Sequence, residues 1–277
     1  MNPTHAPLTV LMSTYAGVRA EWLRSSLSSL AAQRRMPAQV VLVIDGDVPQ
    51  EQERVIEEIR HAAPQIEWTV LRQARKGLAA ALNRALAAAK YELVARMDSD
   101  DICHADRFEV QLALLGARPA IDVICSWHAE FEVEGQISAT KRTPESHDAI
   151  AKSLNYRNIV SHPSIVLKRE LLASVGGYNE SVGLLEDYDL HLKLLRAGAK
   201  YYCVQRPLVY VRVSREQKLR RGGVGYIWNE VKFRTGALIA RKISLSGWVV
   251  GVMAYPIFRL SPPWLKGMFY SVVRSSR

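Results

Sequence analysis

Cysteine is scarce in this 277-residue chain: Cys103, Cys125 and Cys203 are its three, odd in number and far apart. That excludes a disulfide-stapled scaffold and the paired spacing of a zinc site, and it fits a reducing compartment. Long apolar runs are missing too. The longest uncharged stretch of the C-terminal region, Ile243 to Phe258, is interrupted by Gly247, Gly251 and Pro256 and is shorter than the roughly 20 residues a bilayer-spanning helix needs. Met1 to Pro7 lacks a basic region followed by an apolar core, so no secretory signal is expected and the protein is expected in the cytoplasm. There is no fixed-period repeat and no low-complexity tract, which excludes solenoid and fibrous architectures. What remains is a chain that is 48% hydrophobic, enough to bury one large core.

The net charge of +10 is distributed unevenly. Residues 212–277 carry 13 Lys and Arg against Glu216 and Glu230, leaving 24 basic and 25 acidic residues in the rest. The same segment holds Trp228, Trp248, Trp264, Tyr255, Phe258 and Phe269. Basic and aromatic residues mixed in this way suit a segment lying on an anionic membrane surface; a basic helical tail folded back on the domain is the plainer alternative. The expected organisation is therefore a domain over 1–211 and a basic, aromatic-rich helical extension over 212–277. Nucleic acid is not an expected partner, because the positive charge lies away from the acidic strand ends described next.

Apolar runs at Leu8–Met12, Val40–Ile44, Trp68–Leu71 and Leu93–Met97 alternate with helical patterns at Glu21–Arg34, Gln50–His61 and Gly77–Lys90. Parallel strands need crossover connections, and helices supply them, so the pattern predicts an α/β fold with a sheet flanked by helices. The second half is less regular. Val123–Val133 and Ser161–Leu167 read as extended and Asp187–Arg196 as an amphipathic helix, so mixed strands are expected there.

Ligands of such sheets bind beyond the strand C-termini. There the sequence places Ser13-Thr14-Tyr15, Asp45-Gly46-Asp47 and Asp98-Ser99-Asp100-Asp101. Carboxylates at a strand end can hold a hard cation such as Mg²⁺ or Mn²⁺ that also takes phosphate oxygens, or can simply cap the helix beginning near Asp106. Tyr15 can border a base, Asp45 can accept from a base or ribose, and Lys76 stands near phosphates with Arg72 and Arg75. Glu186-Asp187 opens a helix; either carboxylate can face the cleft as a general base, and N-capping by Asp187 is the competing reading.

Taken together, these residues resemble the family 2 glycosyltransferases of the GT-A fold, particularly enzymes of bacterial exopolysaccharide and O-antigen assembly. The resemblance runs from about Leu8 to Arg221. It rests on the Ser-Thr-Tyr strand end, Asp45, Lys76-Gly77-Leu78 leading to Ala81-Leu82-Asn83, Asp98-Ser99-Asp100-Asp101 with Asp106-Arg107-Phe108, His162-Pro163-Ser164, Gly176-Gly177-Tyr178-Asn179-Glu180 and Glu186-Asp187-Tyr188-Asp189-Leu190. It implies a Rossmann-like mixed sheet and inverting transfer from a nucleotide-diphosphate sugar, a UDP-sugar foremost, to a hydroxyl of a saccharide acceptor. A polyprenyl-diphosphate-linked saccharide is the acceptor favoured, with the enzyme peripheral on the inner face of the plasma membrane. By the same resemblance Asp187 is the base and Asp100 the ligand of Mn²⁺ or Mg²⁺. Ser13, Tyr15, Asp45, Lys76, Asp98 and Ser99 line the donor pocket, and His162, Gly177, Tyr178 and Glu186 border the acceptor. Where some relatives carry a histidine after the last strand this chain has Arg212, with Arg220 and Arg221 following, and these stand in for it toward the diphosphate. A metal-dependent nucleotidyltransferase and a non-catalytic nucleotide- or nucleic-acid-binding protein are the alternatives.

Overall fold

The computed structural model describes residues 7–213 and 224–254. Among them, nine strands form one mixed sheet. β1 (Leu8–Thr14), β2 (Gln39–Asp45), β3 (Glu67–Gln73) and β4 (Leu93–Asp98) are parallel and lie in the order β3-β2-β1-β4. The crossovers are α1 (Ala20–Ala31), α2 (Gln50–Ala62) and α3 (Leu78–Ala87). Every residue of β2 is buried, which is why it reads as a continuous apolar run rather than an alternation.

Beyond β4 the sheet becomes mixed, as the irregular second half leads one to expect. β5 (Ile102–Cys103), α4 (Arg107–Ala117), β6 (Val123–Phe131), β7 (Ile137–Lys141), α5 (His147–Leu154), β8 (Val166–Lys168), α6 (Arg169–Ser174), α7 (Glu186–Arg196) and β9 (Tyr201–Arg212) follow in turn. β8 runs antiparallel to both β4 and β6, while β9 lies parallel to β6 and antiparallel to β5. Alternate strand residues feed two cores. Leu11, Val41, Val43 and Val94 face α3 and α7, whereas Val10, Met12, Leu42 and Met97 face α1, α2 and α4.

Two boundaries differ from the sequence pattern, each for a local reason. α1 stops at Ala31 rather than Arg34, because the Arg34 amide donates to Ala105 O and the Gln33 side chain donates to Ser29 O and His104 O. Ser161–Leu167 is not one strand. His162–Ser164 is a 3-10 turn around Pro163, whose ring has no N–H for a ladder, and Ser164 Oγ tethers the turn to Ser161 O and Ser126 O.

The charge boundary at residue 212 falls inside β9 as far as packing is concerned. After it, α8 (Val224–Ile239) and the short α9 (Leu245–Val249) lie on the same body. Phe233, Ala237 and Ile243 join the core that α7 faces. Buried Arg234 pairs with Glu230 and donates to Tyr156 O, Lys242 Nζ reaches Asp189 at 2.7 Å, and Arg196 donates to Ala240 O. The opposite side is apolar and exposed, through Trp228, Ile239, Leu245, Val249, Val250 and Met253. No helix among the described residues is long and apolar enough to cross a membrane.

Candidate active site

The parallel registers decide which side chains meet. β1 sets Ser13 beside Asp98 of β4, and β2 sets Asp45 beside Gln73 of β3, so the polar strand ends share one edge. The chain after β4 is then pinned from three sides. Ser26 Oγ of α1 donates to Asp98 O at 2.8 Å, the Arg212 amide donates to Asp101 Oδ1 at 2.9 Å, and Arg212 Nε donates to Asp100 O at 3.1 Å. Below it, fully buried Arg107 donates to Arg96 O and Cys103 Sγ.

Three aspartates held in so small a space perturb one another. Burial first, and then the charge of Asp98, lift Asp100 from 3.8 to about 6. Burial with the charges of Asp100 and Asp98 lifts Asp101 further still. A divalent cation would remove that penalty, since it stabilises the ionised forms. Among the described residues no three His, Cys, Asp or Glu side chains are placed to cage a metal. One or two carboxylates of this kind suit an ion that keeps several of its waters rather than an all-protein cage. Ser99 between them is buried.

Asp45 makes more local contacts than the sequence suggests. Its Oδ1 accepts from Gln73 Nε2 and the Lys76 amide, both at 2.8 Å, and its Oδ2 accepts from the Gly77 amide at 2.9 Å. It therefore shapes the turn into α3, where Gly77 adopts φ +95°. Arg75, from the same turn, lies over the Tyr15 ring at 5.2 Å, so Tyr15 and Arg75 form a stacked wall beside exposed Lys76. Arg72 points elsewhere and pairs with Glu53.

α7 packs on the same face of the sheet as α3. Its N-cap position is Leu185, so Asp187 lies inside the first turn rather than capping it. Asp187 Oδ2 accepts from Asn158 Nδ2 at 2.9 Å and Oδ1 from the Tyr188 amide at 2.6 Å, which fixes the carboxylate plane. Neighbouring Glu186 is buried and is raised from 4.5 to about 7, by burial foremost and then by Asp187. The charge of Asp98 also contributes to the upward shift of Glu186.

The turn before α7 completes the wall. Asn83 of α3 accepts the Tyr178 amide at 2.7 Å and donates to Tyr178 O at 2.9 Å and Glu180 at 3.0 Å. Gly177, at φ +61°, passes so close that a Cβ there would stand 2.5 Å from Asn83 Oδ1. Tyr178 Oη meets His162 Nε2 at 3.1 Å, and both rings are buried. Burial foremost, with the charge of Arg96, pushes His162 well below 6.5, so it stands neutral.

Arg212 sits at this site, but its guanidinium is engaged with protein groups: it lies 5.0 Å from the Trp22 ring and 4.5 Å from Phe131, and it pairs with Glu134. Its visible work is to brace the acidic loop. Arg220 and Arg221 lie outside the described residues. Sequence reasoning passed over Asn83 and Asn158 as positioning groups, and it missed Arg96. An arginine inside the apolar run Leu93–Met97 was itself the signal, because a strand buried on both faces rarely holds an unpaired charge.

Comparison with known proteins gives the family and the fold. Residues 9–176 match the sequence profile of glycosyl transferase family 2. The chain is 32% identical over 274 residues to the Escherichia coli UDP-Gal:alpha-D-GlcNAc-diphosphoundecaprenol beta-1,3-galactosyltransferase, covering 99% of this chain and 98% of that protein. It is 29% identical to the amylovoran biosynthesis glycosyltransferase AmsE of Erwinia amylovora over 90% of this chain and 91% of that one. In fold it resembles S. aureus TarS solved with UDP-GlcNAc (TM-score 0.68, 17% identity, 92% of this chain and 73% of that one). It also resembles a Pyrobaculum calidifontis mannosyltransferase solved with GDP-Man and Mn²⁺ (TM-score 0.62, 20% identity, 95% and 73%). The fold is thus GT-A, and the chain belongs to glycosyl transferase family 2.

Proposed function

We propose that this glycosyltransferase moves one sugar, with inversion, from a UDP-sugar or related nucleotide-diphosphate sugar to a hydroxyl of a polyprenyl-diphosphate-linked saccharide in cell-surface polysaccharide assembly. The observation that supports the reading is that the acidic end of β4, with Asp98 and Asp100, lies at the edge of a sheet whose one face is covered by α7, the helix that begins with Glu186 and Asp187. The E. coli relative, which acts by its name on a diphosphoundecaprenol-linked sugar, supports the acceptor class.

Tyr15 and Arg75 border the base, Ser13 and Asp98 face the ribose side, and Lys76 stands toward the phosphates. Asp100 would hold Mn²⁺ or Mg²⁺, which when bound neutralises charge on the diphosphate. Asp187, held flat by Asn158 and the Tyr188 amide, takes the proton of the acceptor hydroxyl. That oxygen bonds to the anomeric carbon from one face as the bond to the diphosphate oxygen breaks on the other, and the nucleoside diphosphate leaves. The sugar passes through an oxocarbenium-like state, which the surrounding carboxylates stabilise. The exposed apolar residues of α8 and α9, beside Lys232 and Arg241, suit a body resting on an anionic bilayer that holds the acceptor.

The test is a thermal-shift screen of nucleotide sugars with and without Mn²⁺, followed by product analysis. Stabilisation that needs both ligands and is lost in Asp100→Ala is expected, as is an Asp187→Asn variant that binds donor but transfers nothing. Release of the nucleoside diphosphate is expected, and release of pyrophosphate would mean nucleotidyl transfer instead. Unchanged metal-dependent affinity in Asp100→Ala, or near-normal turnover in Asp187→Asn, overturns the assignment.

A further inference from the structure

Arg96 is the most unusual group in the molecule. It sits on β4 two residues before Asp98 and is 3% exposed, and one arm of its guanidinium, Nη2, pairs with Asp98 Oδ1. Its Nε and Nη1 are buried and have no hydrogen-bond partner among the described residues. The same is true of Glu186 Oε2 on the facing helix. A buried guanidinium N–H left unmade costs on the order of 1–3 kcal/mol, so two on one side chain, opposite an orphan carboxylate oxygen, mark a place built for a ligand. The two groups feel each other: the charge of Arg96 opposes the upward shift of Glu186.

From this the geometry points to a subsite in which Arg96 and Glu186 together hold hydroxyl groups of the transferred sugar. The assignment rests on the donor-cleft reading above and adds the residues that grip the sugar itself. Its logic is one of donors and acceptors. Arginine only donates, so a phosphate or carboxylate would satisfy it, but such an anion would also face Glu186 and Asp98 and be repelled. A sugar hydroxyl accepts from an arginine N–H and donates onward to a carboxylate, so it satisfies both orphans with no added charge. Position agrees, since Arg96 pairs in register with Leu11, on the face of the sheet that α7 covers, and stands beside Asp98. Tyr178 and His162, in contact with each other at 3.1 Å, lie by the turn whose next residue, Ile165, accepts from the Arg96 amide.

The experiment compares affinities of the full chain, in Mn²⁺, for UDP, GDP and dTDP and for their galactose, glucose, N-acetylglucosamine, mannose and rhamnose conjugates. The wild type identifies the conjugate that binds more tightly than its free diphosphate. Arg96→Lys keeps a positive charge beside Asp98 but removes the fixed fork that positions Nε–H and Nη1–H, and Glu186→Ala removes the carboxylate acceptor. Each variant is expected to bind the free diphosphate like the wild type and to lose roughly tenfold to a hundredfold of the sugar-dependent gain. The double variant should lose little more than the worse single one, because one hydroxyl bridges both groups. If Arg96→Lys does not fold, Glu186→Ala alone carries the test. A sugar-dependent gain that survives in the variants, or a loss shared equally by the free diphosphate, overturns the subsite and leaves the donor-cleft reading standing. A wild type that binds no nucleotide in Mn²⁺ overturns both.

Discussion

Replacing Gly177 by alanine should cost far more than the same change one residue earlier, although both glycines have positive φ. Gly176 is at φ +77° with nothing within 4 Å of a Cβ, so Gly176→Ala meets only backbone strain, about 1–2 kcal/mol. Gly177 is at φ +61° and carries the same strain, but its new Cβ stands 2.5 Å from Asn83 Oδ1 and 3.4 Å from Asn83 Cγ. Asn83 cannot retreat without releasing both hydrogen bonds to Tyr178, each contributing ~1 kcal/mol. Gly177→Ala should therefore destabilise by about 3–4 kcal/mol, some 2 kcal/mol beyond its neighbour. Urea unfolding of both variants measures the difference. Sugar transfer should fall in Gly177→Ala alone, because Tyr178 supports His162 beside Arg96. Combining Gly177→Ala with Asn83→Ala should be less than additive, since the first change already breaks the bonds the second removes. Equal destabilisation by the two glycine changes, or full additivity with Asn83→Ala, would refute the reasoning.

Two further outcomes follow from burial and charge. Glu186, raised from 4.5 to about 7, binds its proton more tightly in the folded state, so its contribution is complete at low pH and is lost as pH rises from about 4.5 toward about 7. Glu186→Gln should remove up to about 3 kcal/mol of that decline, leaving the slope contributed by Asp100 and Asp101, and parallel stability curves for variant and wild type without divalent ions would contradict it. Flotation with anionic liposomes should drop for the triple change Trp228→Ser, Leu245→Ser and Met253→Ser, whose side chains are exposed, with little effect on unfolding. Unchanged flotation would remove the apolar face as a docking surface.

The parts of the molecule that were legible in advance are those set by local pattern. Apolar runs alternating with helical patterns gave the β1–β4 half to within about three residues at each end, and their polar ends marked one edge of the sheet. Contacts between distant segments left no such trace. Nothing in Ala81-Leu82-Asn83 announces that its asparagine holds Tyr178, 95 positions later. Nor does charge composition reveal that Arg234 is buried and that Phe233 stacks beside Tyr188. The sequence marks Asp45 as a ligand group but does not reveal that both its oxygens also accept from its own turn. Arg96 was visible as an oddity, but its meaning needed the facing helix.

The clasp between α8 and α7 bears on how variants of this enzyme can be cut and recombined. Phe233 rests 5.4 Å from the Tyr188 ring, next in sequence to Asp187, and Lys242 is tied to Asp189 on the same helix. A chimera spliced at residue 212 would strip the backing from the helix that carries Glu186 and Asp187. Exchanging tails between relatives therefore calls for a junction beyond residue 254, or for transplanting α7 and α8 as one matched pair.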